Sequence, residues 1–511
     1  MAPHPNARGL RMDKLYKELC EKAAELSDIG AAASMLGWDQ QTYMPQGGAE
    51  ARGRQMATLA KLAHEKRIDP RNGELLEKLA SFEKSRGYDS MEAGLIRLAR
   101  REYEKAVKVP PEFTARMSVQ QAECFDLWLK ARPADNFSMV RPNLEKVFGL
   151  CREYSDFFPG YEHPLDPLID NNDYGMKASD IRMIFARLRK ELVPLVDSIA
   201  SKKPADDSFL KKKFDAQAQL DFGKTVVTDF GYDFARGRQD MAAHPFTTSF
   251  SVGDVRITTR IHPGFLGAAL FGTMHEAGHA MYEQGSDIAY DGTLLRGGTS
   301  IGVHESQSRL WENIVGRSKP FWQHYYPALR KKFSKELGKV PLDKFYRGIN
   351  KVQRGLIRVE ADEVTYNLHV MLRFDFECSL LEGSMAVKDL PGAWNDRMEA
   401  DLGIKPPSDS QGVMQDIHWY NGIVGYFQGY ALGNIMSAQF YDAAVKAHPE
   451  IPEETGQGKF GTLQAWLIEN IYRHGRMYTA NELLERITGN SLDIGPYMKY
   501  LKTKYGDLYS L

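Results

Sequence analysis

His275 and His279 stand four residues apart, with Glu276 beside the first, in the order His-Glu-Ala-Gly-His. On a helix, positions i and i+4 share a face. Two imidazoles there can hold one divalent ion, and the carboxylate beside them is placed to take a proton from a water at the metal. This is the chemistry of a zinc peptidase. A helical His pair is often only a solvated face. Here the flanks, Phe265-Leu266-Gly267-Ala268-Ala269-Leu270-Phe271 before and Ala280-Met281-Tyr282 after, are largely apolar, so both rings are expected to be partly buried and in need of partners. Five of the 13 histidines, His244, His262, His275, His279 and His304, fall within residues 244–304, which concentrates ligand chemistry in one stretch.

A catalytic zinc takes three protein ligands and leaves one position for water. The candidates for the third are Glu283, His304, Glu305 and Glu312. Glu283 lies one turn past His279 on the same face, and three ligands in one stripe would span about 12 Å along the axis, too far for one ion. His304 and Glu305 lie far enough downstream for a loop and a second helix to return. Glu305 is favoured over His304 because His-His-Glu sites are well known in peptidases. His304 then supports the site or contacts substrate.

Removal of a C-terminal residue further requires recognition of a free α-carboxylate. The planar fork of arginine suits that task best, and Arg256, Arg260, Arg296, Arg309 and Arg358 are candidates. A late segment, Gly412 to Tyr420 continuing through Gly425-Tyr426-Phe427-Gln428-Gly429-Tyr430, is dense in glycine, aromatic and hydrogen-bonding residues. A His or Tyr donor there can stabilise the oxyanion of a tetrahedral intermediate.

The elements that must position these groups are mostly helical. Asp13 to Leu36 repeats apolar residues near a 3.6 period through Leu15, Leu19, Ala23 and Leu26. Residues 51–63, 75–84, 91–107, 111–130, 143–158, 178–200, 208–222 and 320–335 read similarly, punctuated by Pro110-Pro111, Pro159-Gly160 and Gly175. Ser179-Asp180 suits an N-cap. The exception is Phe246 to Ile261, β-branched and aromatic around a Ser251-Val252-Gly253-Asp254 turn, which predicts a hairpin just before the motif helix. An exposed edge strand there can hold an extended peptide. The fold class is therefore mainly α: a large helical body around a cleft, with a small β-sheet beside the His-Glu-Ala-Gly-His helix.

The segments together resemble the thermostable zinc metallocarboxypeptidases typified by carboxypeptidase Taq. His244-Pro245-Phe246, Asp254-Val255-Arg256-Ile257-Thr258, His275 to His279, His304-Glu305-Ser306-Gln307, Ile357-Arg358-Val359-Glu360-Ala361-Asp362 and Gly412 to Trp419 follow that family's motifs in order. Leu36 to Pro45 resembles its N-terminal segment. The resemblance runs from about Leu15 to the C-terminus, so residues 13–511 are expected to form one metallocarboxypeptidase domain. Residues 1–12 match nothing and read as an extension.

The resemblance implies a fold with a deep central groove, similar to neurolysin and angiotensin-converting enzyme. It implies a homodimer with one zinc per subunit, replaceable by cobalt, and release of single C-terminal residues with broad preference and proline disfavoured. His275, His279 and Glu305 become metal ligands and Glu276 the general base. Arg358 becomes the anchor of the terminal carboxylate, and Asp362, four residues on, would orient its guanidinium if the stretch is helical. His418 and a tyrosine become oxyanion donors, Tyr430 by its spacing with Tyr426 its rival. Arg256, His304, Tyr426 and Gln415 complete the substrate-binding set. Tyr420 is given no catalytic role.

Composition narrows the partners. Lys and Arg number 66 against 67 Asp and Glu, so no basic surplus points to nucleic acid. No run of 18 apolar residues suggests a membrane span, and residues 1–14 lack the apolar core of a signal peptide. Cys20, Cys124, Cys151 and Cys378 are scattered, as reduced thiols in a cytoplasmic protein are. Peptide substrates are the expected partners. An endo- or dipeptidase on the same scaffold is the rival within enzymes. A helical interaction protein with structural zinc is the rival outside them, disfavoured because structural sites are usually closed by four Cys or His ligands and no cysteine lies near the motif.

Overall fold

A computed structural model describes residues 5–511, with side chains from residue 12 onward. Residues 1–4 of the expected N-terminal extension lie outside the described residues. Helix accounts for 68% of the described residues and strand for 3%, which makes the fold mainly helical as expected. The chain gathers into two compact units. One comprises the described part of Met1–Lys108 with Lys213–Thr299 and Glu453–Thr479; the other comprises Val109–Lys212, Ser300–Pro452 and Ala480–Leu511. No helix among the described residues is long and apolar enough to cross a membrane.

In the first unit, the helix Pro5–Thr42 buries Leu19 and Ala23, members of its apolar stripe. Leu19 packs with Leu75, Leu76 and Leu79 of helix Pro70–Ser85 and with Ile96 and Ala99 of helix Met91–Lys108. The expected hairpin forms as β2 (Thr247–Ser251) and β3 (Asp254–Thr259), preceded by a short strand β1 (Gln239–Met241). The order is β1-β3-β2, with β1 parallel and β2 antiparallel to β3. β1 was not foreseen: it is three residues long and has no β-branched side chain.

The motif helix, Leu266–Gln284, follows the hairpin and buries 15 of its 19 residues. A helix buried on almost every side belongs in a core, and its polar groups there need partners. It is tied to the sheet by hydroxyl contacts: Thr259 Oγ1 lies 3.1 Å from Thr273 Oγ1, and Gln239 Nε2 donates to Thr273 Oγ1 at 3.0 Å.

Two local expectations are corrected. Residues 208–222 do not form one helix. A 3₁₀ turn at Ser208–Leu210 is followed by helix Ala216–Phe230. Between them Phe214 N donates to Pro263 O, and the Asp215 side chain caps Ala218 N at 2.8 Å, so the helix starts where its cap stands. Ser179 and Asp180 lie inside the first turn of helix Ala178–Ala200, and the cap comes from outside: Asp166 Oδ1 accepts from Ala178 N at 2.8 Å.

In the second unit, helix Phe427–Ala447 lies against helix Ile301–Arg309. A Cβ at Gly433 would stand 2.5 Å from Cβ of Glu305, and one at Gly429 2.7 Å from Cγ2 of Ile301. Only glycine permits this approach, one helical turn apart on one face. Beyond Arg309 the helix widens to π geometry over Leu310–Val315, with Gly316 N bonding Trp311 O at 2.9 Å. We expect Gly433→Ala to push the two helices apart and destabilise the protein by about 1–3 kcal/mol. Denaturant unfolding should show a lowered midpoint, with Gly149→Ala, inside helix Phe137–Asp156 where an added Cβ meets nothing, as a control for glycine replacement away from a contact.

Candidate active site

The motif helix puts His275 and His279 on one face, their rings 4.9 Å apart and nearly perpendicular. With Glu305, they bring three ligand atoms within 4.8 Å of one another. That spacing suits a single ion coordinated at about 2.0–2.2 Å. His304, the rival third ligand, is half-buried and outside this group. Glu283 is spent elsewhere, its carboxylate accepting from Gly298 N at 3.0 Å.

Each carboxylate at the centre is held by a partner. Glu305 is buried, and Arg309, four residues along its own helix, donates from Nε to Oε1 at 2.7 Å. Arg309 also contacts Glu312 at 3.2 Å and lies over the ring of Tyr366. Burial alone would lower the pKa of Arg309, but Glu305 and Glu312 raise it further, so it remains a cation. Glu276 is buried too, and Thr247 of β2 donates its hydroxyl to Oε2 at 2.7 Å. Thr247 was not singled out from the sequence, since nothing in its local pattern distinguishes it from other strand threonines.

A second cluster forms around Arg358, Gln415, Asp416, His418, Tyr426 and Tyr430. Arg358 is only 5% exposed. Its Nη2 donates to Asp416 Oδ1 at 2.9 Å and its Nη1 to Tyr366 Oη at 2.8 Å. Asp416 also accepts from Arg373 Nε at 2.6 Å. Burial would raise the Asp416 pKa, but Arg373 and Arg358 hold it well below the usual range. Asp362 does not orient Arg358: Arg358–Glu360 is a 3₁₀ turn, and Asp362 accepts from the backbone of Gln353, Val364 and Thr365. Gln415 serves the chain itself, accepting from Arg358 N at 2.8 Å and donating to the carbonyls of Leu356 and Gln411.

His418 Nε2 lies 3.3 Å from Tyr430 Oη, and the Tyr426 and Tyr430 rings are 5.5 Å apart. Burial lowers the His418 pKa to about 4 against the pull of Asp416, so the ring is neutral near pH 7. Burial also keeps the Tyr430 phenol protonated. Tyr420 is fully buried, stacked on Trp128. The loop after His418 is clamped by Glu377, which accepts from Trp419 Nε1 at 2.8 Å and Gly425 N at 3.1 Å. With only neutral donors, burial pushes Glu377 up to about 8. Arg256 is bound by Asp254 through two 2.8 Å hydrogen bonds and flanked by Trp38 and Phe250.

A core helix bearing two imidazoles and a carboxylate, with a distal glutamate completing the donor set, defines a metallopeptidase site. The chain belongs to the family described as carboxypeptidase Taq (M32) metallopeptidase, whose model matches residues 18–505. Thermostable carboxypeptidase 1 of Thermus thermophilus is 38% identical over 97% of this chain and 99% of its own. The solved M32 carboxypeptidase of Deinococcus radiodurans superposes with TM-score 0.94 at 46% identity, covering 98% of this chain and 100% of that one. Metallocarboxypeptidase 1 of Trypanosoma cruzi gives TM-score 0.91 at 31% identity over 96% and 99%. The chain is thus a metallocarboxypeptidase that requires a metal ion, with His275, His279 and Glu305 as its candidate site.

The depressed pKa of His418 has a thermodynamic consequence. Its value is near 6.5 unfolded and about 4 folded, so between these the unfolded state binds more protons. Stability falls as pH drops from about 6.5 toward 4. We expect His418→Gln to flatten that slope in urea unfolding measured across this range.

Proposed function

We propose that this chain is a zinc carboxypeptidase that removes single C-terminal residues from peptides with broad preference, proline being disfavoured. The observation that carries the proposal is the convergence of His275, His279 and Glu305 within 4.8 Å beside a Glu276 fixed by Thr247. Two imidazoles and one carboxylate form a borderline nitrogen and oxygen set that suits zinc, and cobalt shares its preference. Bound there, zinc supplies Lewis-acid polarisation to water and to the scissile carbonyl.

The remaining chemistry belongs to side chains. Glu276 takes a proton from the attacking water and passes it to the leaving amine. Neutral His418 and protonated Tyr430 donate hydrogen bonds to the developing oxyanion, with Tyr426 the alternative donor. Arg358 binds the terminal carboxylate, and His304 contacts substrate near the metal. Charge supports the choice of Arg358: Arg358 and Arg373 together face one carboxylate, Asp416, leaving a net positive charge. Arg256, bound by Asp254, has no such surplus. We take the enzyme to be a cytoplasmic homodimer with one zinc per subunit, acting on peptides rather than nucleic acid or membrane, in keeping with its balanced 66 basic and 67 acidic residues.

The test is a defined peptide, free or amidated at its C-terminus, incubated with zinc-loaded enzyme and read by mass spectrometry. A ladder of single-residue losses from the free acid alone is the expected outcome. Internal cleavage of the amidated peptide would instead establish the endopeptidase alternative. Glu276→Gln should retain zinc by metal analysis and lose at least about 10²-fold in turnover; near-native turnover would remove Glu276 as the base. Arg358→Lys keeps the charge and loses the fork, and should cost about 1.5–3 kcal/mol in kcat/KM with zinc content unchanged. Unaltered cleavage would move the anchor elsewhere, Arg256 first.

A further inference from the structure

We propose that a cavity in the first unit is a subsite for an acidic side chain of the peptide substrate, on the fourth residue from its C-terminus. This rests on the carboxypeptidase function proposed above. The cavity, of about 300 Å³, opens between the N-terminal helix and the segment Thr293–Arg296, and Ser249 of β2 lies on its wall. Four cations line it: Lys22, Arg67, Arg296 and Arg476. Two are already neutralised, Lys22 by Asp69 at 2.5 Å and Arg476 by Glu102 at 2.8 Å. Arg67 has no carboxylate within ion-pair distance among the described residues. Arg296 has only a loose contact to Asp291 at 3.9 Å, and its Nη1 donates to Ser249 Oγ at 2.6 Å. Two guanidinium charges are thus left for a visiting carboxylate.

The strand leading to the cavity gives the register. β3 flanks β2 on one side only. Thr258 N donates to Phe246 O, so by antiparallel alternation the backbone groups of Thr247 and Ser249 face the open edge. Thr247 holds Glu276, the reacting end. A peptide antiparallel to β2 runs from Ser249 toward Thr247, which places its upstream residues at the cavity. Two residues of strand span about 7 Å. The residue reaching the cavity is therefore two upstream of the one supplying the scissile carbonyl.

The test uses free-acid alanine hexapeptides with Asp or Lys walked through positions two to five from the C-terminus. Binding to Glu276→Gln and cleavage by the zinc-loaded wild type are measured in parallel. We expect Asp at the fourth position to be favoured over Lys about threefold to tenfold, the worth of one or two partly solvated ion pairs. The preference should shrink in high salt. Arg67→Glu, at an exposed position, should abolish or reverse it without altering the all-alanine peptide. No charge preference at that position in binding, or a preference that survives Arg67→Glu, overturns the subsite. Binding with the expected preference but no cleavage by the wild type would support the subsite and overturn the catalytic proposal instead.

Discussion

A buried carboxylate stays charged only where something replaces the water it has lost. The arrangement of both clusters follows from that constraint. Glu305 is buried with the guanidinium of Arg309 against it, so a cation stands where water has been lost. Asp416 is buried between Arg358 and Arg373, which hold it as an anion. Glu377 is the counterexample from the same unit: it has good hydrogen bonds but no cation within ion-pair distance among the described residues, and burial outweighs the more distant Arg373 so that its pKa climbs to about 8. A carboxyl group near neutrality at pH 7 suits a structural clamp, whereas a ligand or an ion-pair partner must be charged.

The same logic applies to the donors. His418 and Tyr430 are both held neutral by burial, so each can offer a hydrogen bond without adding a fixed charge. The positive charge of the cluster is supplied separately, by two guanidiniums sharing one aspartate. Positive charge and neutral donors thus sit in one cluster, linked by the 5.1 Å contact of Arg358 with the Tyr430 ring.

What the sequence disclosed depended on how local each signal was. The His275, Glu276 and His279 arrangement is a helical spacing and was legible at once. Glu305 was one of four candidates, because choosing it requires knowing where a second helix returns. The hairpin was legible from β-branched residues, and β1 was not, being defined only by its partner strand. Asp416 was visible within a motif but had no assigned role, since its partners lie 43 and 58 residues away. The expected Arg358–Asp362 pair failed because it assumed an α-helix where the chain makes a 3₁₀ turn. Thr247 and the close approach of Gly433 to Glu305 exist only in the folded chain.

The π turn at Leu310–Val315 makes the length of this helix adjustable. It accommodates one residue more than an α-helix would over the same path, and it does so immediately after the Glu305–Arg309 pair and around Glu312. Removing one residue there and relaxing to α geometry would leave the chain beyond the turn on its present course, whereas removing one from the α-helical stretch Ile301–Arg309 would rotate everything downstream by about 100°. Trp311, Asn313 and Val315, all buried, are the side chains that would repack around the shorter turn. A change of length within the turn is thus felt locally, and the same change one turn earlier is felt by every later position.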